Sequence, residues 1–183
     1  MKNFIKLKNK FIISDYSVQQ LRVGYGKKDN DKFKGIWYSD VEYQNKDTIF
    51  DSIPARFRPY FAMRVMEVNT RIPPHTDSRI VSTINFYIKT DQCLTQFYKF
   101  KSENPTTTQV ENQTDGFLFN VEDLETTNSF IAESSDAYLL DVSKPHSVIP
   151  LETTNIHRSA IVLQTDRFTF DEVLEMLKET DNV

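Results

Sequence analysis

Residues Arg71 to Lys89 read RIPPHTDSRIVSTINFYIK, and the second half of that stretch decides the fold class. From Ile80 to Lys89 it is rich in β-branched and aromatic side chains with imperfect alternation, which predicts a strand. Working outward, Phe61 to Val68 (FAMRVMEV), between Pro59 and Pro73, reads as the strand before it. Gln96–Phe100 (QFYKF), Gly116–Val121 (GFLFNV), Ala137–Val142 (AYLLDV) and Arg158–Gln164 (RSAIVLQ) follow the same pattern. Two stretches read as helices. Thr169 to Glu179 opens with a Thr-x-x-Glu capping box and sets Phe170, Val173, Leu174 and Leu177 at helical spacing. A shorter one covers Lys46 to Ser52 and stops at Pro54. Many short strands with helices at their edges predict a mainly β fold, a sandwich or barrel of the jelly-roll kind.

At 183 residues the chain suits one domain with a sizeable core. The division expected is a jelly-roll core over about 60–166, an N-terminal flanking segment at 1–59 and a C-terminal helix at 167–183. A net charge of −4 argues against bulk electrostatic binding to nucleic acid. One cysteine, Cys93, excludes an intramolecular disulfide and a cysteine-only zinc site. The 4 glycines complete neither GxxxxGK[ST] nor GxGxxG, so nucleotide binding by those routes is out. No run of 18 apolar residues occurs, and MKNFIKLKNK scatters lysines where a signal sequence needs an apolar core. The expectation is a soluble, cytoplasmic protein with no membrane partner. Ser102 to Asp115 (SENPTTTQVENQTD) is polar and aperiodic, a hairpin tip or a flap over a site.

The chemistry lies with the histidines, of which there are 3: His75, His146 and His157. His75 and Asp77 are two positions apart, so in extended backbone they point to one side and can converge on one metal ion. His146 follows AYLLDV in Ser-Lys-Pro-His-Ser-Val. Two imidazoles and one carboxylate on one face of an octahedron leave three positions free, the arrangement of non-haem Fe(II) oxygenases. By itself a His-x-Asp is unspecific, and either histidine also reads as a loop residue behind proline. Arg158 adds to the pattern: it opens its strand 12 residues after His146, where an inward guanidinium pairs with a carboxylate; a surface arginine on an edge strand is the other reading.

The order His75-x-Asp77, His146, Arg158 resembles the 2-oxoglutarate/Fe(II)-dependent dioxygenases, over roughly residues 60–166. Within that superfamily IPPHTDSRIVSTINFYI, KPHSVIP and RSAIVLQT look most like the aspartyl/asparaginyl β-hydroxylase-like and prolyl-hydroxylase-like branches. The resemblance implies a double-stranded β-helix (jelly-roll, cupin-like) core with flanking α-helices. It implies that His75, Asp77 and His146 ligate Fe(II), and that Arg158 binds the distal carboxylate of 2-oxoglutarate. Thr83 and Asn85, on one face of the next strand, match positions that assist the cosubstrate; a satisfied polar sheet position is the other reading. Some β-hydroxylases lack the metal carboxylate, whereas this chain keeps Asp77. It departs from the family in carrying Pro73-Pro74 where a glycine turn is common, and in a slightly longer gap from His146 to Arg158.

The activity implied is a hydroxylase: 2-oxoglutarate and O₂ give succinate and CO₂ as a C–H bond of a small-molecule or peptide substrate is hydroxylated. Phe86, Tyr87, Phe97, Tyr98 and Tyr138 line or back the barrel, or serve as core. Five of the eight arginines, Arg56, Arg58, Arg64, Arg71 and Arg79, fall between residues 56 and 79. They mark an anionic substrate or scattered solvated charge, and Arg79 is the one placed for substrate contact. His157 reads as a surface residue. Two other classes stay open: a cupin-type hydrolase or isomerase working through metal-bound water, and a non-enzymatic jelly-roll module.

Overall fold

The computed structural model describes residues 2–11, 13, 16–18, 23–25, 36–43, 46–77, 79–109, 116–152 and 156–183. In chain order the strands are β1 (Phe4–Lys6), β2 (Tyr16–Val18), β3 (Val23–Tyr25), β4 (Ile36–Tyr43), β5 (Ala62–Val68), β6 (Ile72–Thr76), β7 (Ser82–Lys89) and β8 (Cys93–Phe100). They continue with β9 (Thr107–Gln109), β10 (Phe117–Phe119), β11 (Leu124–Ile131), β12 (Ala137–Leu140), β13 (His146–Pro150) and β14 (Arg158–Thr165). Helix α1 spans Lys46–Phe50 and α2 spans Phe170–Glu179. The fold is mainly β, in two antiparallel sheets. The larger runs β1-β12-β7-β14-β5-β4, with β2 and β3 both paired to β4. The smaller runs β11-β8-β13-β6-β10-β9. From β5 to β8 each successive strand changes sheet, and it does so again from β11 to β14.

Two apolar clusters result, one on each face of the larger sheet. Tyr87, Tyr138, Leu140, Ala160 and Val162 meet Ile72, Phe97, Phe130 and Val148 of the smaller sheet. The intervening residues Ile84, Phe86, Leu139, Ile161 and Leu163 face the other way and pack under Phe170, Val173, Met176 and Leu177 of α2. Each such side chain fully buried contributes roughly 1.5–3 kcal/mol. Burial on both faces explains why IVSTINFYIK alternates so poorly: every position from Ser82 to Tyr87 is buried. Phe86 therefore backs the larger sheet on its helix side, as core, and does not face the space between the sheets. Helix α2 begins as its sequence predicts, with Thr169 Oγ1 accepting from the Glu172 N–H and the Glu172 carboxylate accepting from the Thr169 N–H.

Other expectations need adjusting. The residues before 60 are more than a flank, because β1 pairs with β12 and β4 with β5. Strands β6 and β11 escaped the sequence reading: β6 contains Pro73-Pro74, and β11 (LETTNSFI) is polar along most of its length. Strand β10 stops at Phe119, and Val121–Asp123 form a 3-10 turn. In the polar stretch, Thr107–Gln109 is a strand paired with β10, while residues 110–115 lie outside those described. Among the described residues no helix is long and apolar enough to cross a membrane.

Candidate metal centre

His75 lies near the end of β6 and His146 opens β13, directly opposite it in the antiparallel register. The two rings stand 4.2 Å apart between centroids. Asp77 follows β6 by one residue, tied down by its own N–H to the Val142 carbonyl at 3.1 Å. The potential ligand atoms of His75, Asp77 and His146 all lie within 4.8 Å of one another, a span from which one ion can gather them. Asp77 Oδ1 and His75 Nε2 are 3.6 Å apart.

The local sequence fixes which nitrogen each ring offers. Each histidine follows a proline, and each Nδ1 is 2.9 Å from the carbonyl oxygen two residues back, of Pro73 for His75 and of Lys144 for His146. A carbonyl can only accept, so Nδ1 carries the proton and the Nε2 lone pair is left for a cation. Proline keeps the preceding residue extended, which holds that carbonyl in place. The turn before His146 is further pinned by the Tyr98 N–H on the Pro145 carbonyl, at 2.9 Å. Burial pushes the Asp77 carboxyl up, with His75 opposing it. Burial, assisted by neighbouring His75, pushes His146 well below the usual imidazole range. His146 therefore stays neutral at physiological pH, the form that ligates metal.

Behind the triad is a narrow cavity of about 50 Å³ between the sheets, bordered by Thr83, Asn85, Thr95, Arg158 and Gln164 as well as the triad itself. Arg158 is 2% exposed, the largest fully buried side chain among the described residues. One guanidinium nitrogen, Nη2, donates to Tyr87 Oη at 2.6 Å and to Thr95 Oγ1 at 2.8 Å. The other two, Nε and Nη1, have no partner, and neither do Thr83 Oγ1 and Asn85 Oδ1. No carboxylate pairs with this arginine among the described residues. A permanent cation held out of water without a counter-charge is costly, so the cavity is electrostatically built for an anion.

The structure thus brings His75, Asp77, His146, Thr83, Asn85 and Arg158 to one cavity. Arg79 does not join them: it lines a neighbouring open cleft. His157 is half-buried, its backbone N–H bonded to the Asp91 carboxylate at 3.0 Å. Thr95 and Gln164 were missed, and Tyr87, expected to line or back the barrel, was not foreseen as a partner of Arg158. For Tyr87 the signal was present, since continuing the two-residue period from Thr83 and Asn85 reaches it. Thr95 was lost because the strand was started at Gln96, three residues late.

No family model and no curated protein matches this chain. Among solved structures, an X-ray structure of Escherichia coli ycfD is similar at a TM-score of 0.41 and 14% identity, over 76% of this chain and 36% of that one. The chain thus spans about a third of that structure's length. Fold and site rest on the strand order and on the side chains themselves.

Proposed function

We propose that this protein is a 2-oxoglutarate- and Fe(II)-dependent dioxygenase that hydroxylates its substrate. The strand order supports a double-stranded β-helix: β5-β14-β7-β12 in one sheet and β6-β13-β8-β11 in the other is the pairing of a jelly roll. The observation that carries the reading is Arg158, a buried guanidinium with two unpartnered nitrogens in the same cavity as a His-Asp-His set. Hydrolysis by a metal-bound water does not by itself call for a buried anion receptor at that place. A dicarboxylate cosubstrate that chelates the metal with one end needs one for the other.

His75, Asp77 and His146 would hold the iron by two neutral nitrogens and one charged oxygen, leaving three positions on the open side. Arg158 would take the distal carboxylate through Nε and Nη1, while Thr95 and Tyr87 hold the guanidinium by its third nitrogen. Thr83 Oγ1 and Asn85 Oδ1, on β7 opposite Gln164 and Val162 of β14, are unpartnered atoms of the same cavity and available to a bound cosubstrate or its waters. The bound iron and 2-oxoglutarate supply the oxidising chemistry with O₂; the chain supplies ligand geometry, the anion receptor and a site walled by Leu140, Val142, Val148 and Val162 against bulk water.

The test is visible absorption under anaerobic conditions. Metal-free protein receives Fe(II) and then 2-oxoglutarate, with His75→Ala and Arg158→Gln alongside. A weak charge-transfer band that needs both additions, vanishes in His75→Ala and needs far more 2-oxoglutarate in Arg158→Gln is expected. Fe(II) binding without any band would point to a hydrolytic metalloenzyme. Absence of metal binding by folded protein would leave a non-enzymatic β scaffold.

A further inference from the structure

The inner face of the larger sheet runs on past the metal centre. Along β14, Arg158, Val162 and Gln164 are even numbers of positions apart and all border the inner cavity, as Met66 does on β5. Two and four positions before Met66, Arg64 and Ala62 line a second, open cleft of about 510 Å³, and Gln164 borders both spaces. The floor of the cleft is apolar, from Tyr60, Phe61 and Ile80. Arg64 and Arg79 on its wall already have partners, and the Arg167 guanidinium carbon lies 4.9 Å from the Tyr60 ring centre. Gln164 differs from them. It is the one position of β14 that is not fully buried, and its carboxamide makes no hydrogen bond among the described residues. Thr83 stands directly opposite on β7, 7% exposed, with Oγ1 unpartnered. Residues so opposed have their Cβ atoms about 5 Å apart, yet these two side chains do not bond to each other. The junction between cavity and cleft thus carries two neighbouring polar side chains with nothing to bind.

We propose that Gln164 is the specificity-determining residue of this site. It selects a substrate whose head is uncharged and both donates and accepts a hydrogen bond, an amide or an alcohol, with an apolar body on Tyr60 and Phe61. The word substrate rests on the dioxygenase reading; the selection rests on the carboxamide, which presents a donor and an acceptor side by side. A carboxylate offers only acceptors and an ammonium only donors. Either leaves half of the Gln164 amide facing a group of its own kind, and a polar group shielded from water without a partner costs free energy. An amide or an alcohol satisfies both halves. A cleft of several hundred Å³ is of the size that small ligands occupy. Because Gln164 is the shared wall, the head it holds sits at the junction, and the carbon bearing that head is the part of the substrate nearest His75 and Asp77.

The experiment uses metal-free full-length protein, titrated with benzamide, benzyl alcohol, benzoate and benzylammonium and followed by ¹⁵N amide spectra. Saturable binding of benzamide and benzyl alcohol is expected, with both ions weaker by about tenfold, the worth of one hydrogen bond and the partner it strands. Benzamide should also move the Gln164 side-chain NH₂ signal, identified by its absence in the variants. Gln164→Glu should weaken benzamide by about tenfold and make benzylammonium the tightest of the four. Gln164→Met, which keeps the length and removes both polar atoms, should erase the preference, and it decides alone if Gln164→Glu does not fold. Either ion binding wild type as tightly as benzamide, no binding of benzamide, or benzamide indifferent to the substitutions overturns the proposal. With Mn(II) added, the ring protons of bound benzamide beside the amide should relax faster than the proton opposite it, and not in His75→Ala. Binding without that enhancement, in protein shown to hold Mn(II), overturns the substrate assignment. Loss of the Fe(II)/2-oxoglutarate band with benzamide selection intact would instead remove the dioxygenase reading alone.

Discussion

Replacing Arg158 by methionine separates what the fold needs from what the site needs. The guanidinium is 2% exposed, makes two hydrogen bonds to hydroxyls and sits 4.7 Å over the Tyr87 ring. Losing those bonds costs about 1 kcal/mol each, and the ring contact roughly 0.5–2 kcal/mol. On the other side, Nε and Nη1 are buried donors without partners, worth about 1–3 kcal/mol apiece once removed. The charge itself carries a desolvation penalty of several kcal/mol that no carboxylate offsets. A cavity of about 50 Å³ admits only a few waters to soften this. The balance favours methionine by about 1–3 kcal/mol in the protein without ligands, at roughly 2–4 °C of melting temperature per kcal/mol for a chain of this length.

Ligand should invert the order. With Fe(II) bound anaerobically and 2-oxoglutarate at a hundred times its dissociation constant, wild type gains about 2.7 kcal/mol. Arg158→Met should gain nothing from 2-oxoglutarate. Calorimetric melting of both proteins, with and without cosubstrate, reads all four stabilities. If Arg158→Met is destabilised by more than about 1 kcal/mol without ligand, the arginine is a structural core cation and the argument from its unpartnered nitrogens fails. A 2-oxoglutarate shift that survives in the variant would refute it equally.

Two further outcomes follow from other parts of the fold. Asp136 is fully buried; burial works against its ionisation, but hydrogen bonds from Lys10 and Lys6 outweigh this and hold its carboxyl below the usual range. A depressed carboxyl stabilises the fold above the unfolded value of about 3.9 and ceases to do so as pH falls through the folded value. Asp136→Asn should thus lower stability at pH 7 by about 1–3 kcal/mol and flatten the acid loss below about pH 4; equal urea-midpoint shifts at neutral and acid pH would contradict it. At Gly116, next to β10, an added Cβ would run into the Thr76 carbonyl oxygen on the strand that carries His75. Gly116→Ala should displace β6 and weaken divalent-metal binding by about tenfold or more with the three ligands intact, measured by calorimetry; unchanged affinity would show that the strand absorbs the clash.

The sequence by itself determined which side chains can do chemistry, and most of the elements that present them. The two-residue period put Thr83 with Asn85 and His75 with Asp77 on common faces, and local backbone geometry alone makes that true. The capping box of α2 was equally readable, since its partners are three residues apart. It was the polar strand β11 and the proline-bearing β6 that local propensity could not show, because pairing with β8 and β13 supplies what their own composition lacks. Which face met which was a tertiary decision. Phe86 and Tyr87 are neighbours of similar character, yet one packs under α2 and the other touches Arg158. Likewise the arginines at 56–79 stand close together in the sequence, and only the fold pairs Arg56 with Glu179 and Arg58 with Asp51 and sets Arg71 on a different depression from Arg64 and Arg79. Periodicity is fixed by bonds between adjacent residues; depth and partnership are fixed by how the sheets stack, and that is set by contacts between residues far apart in the chain.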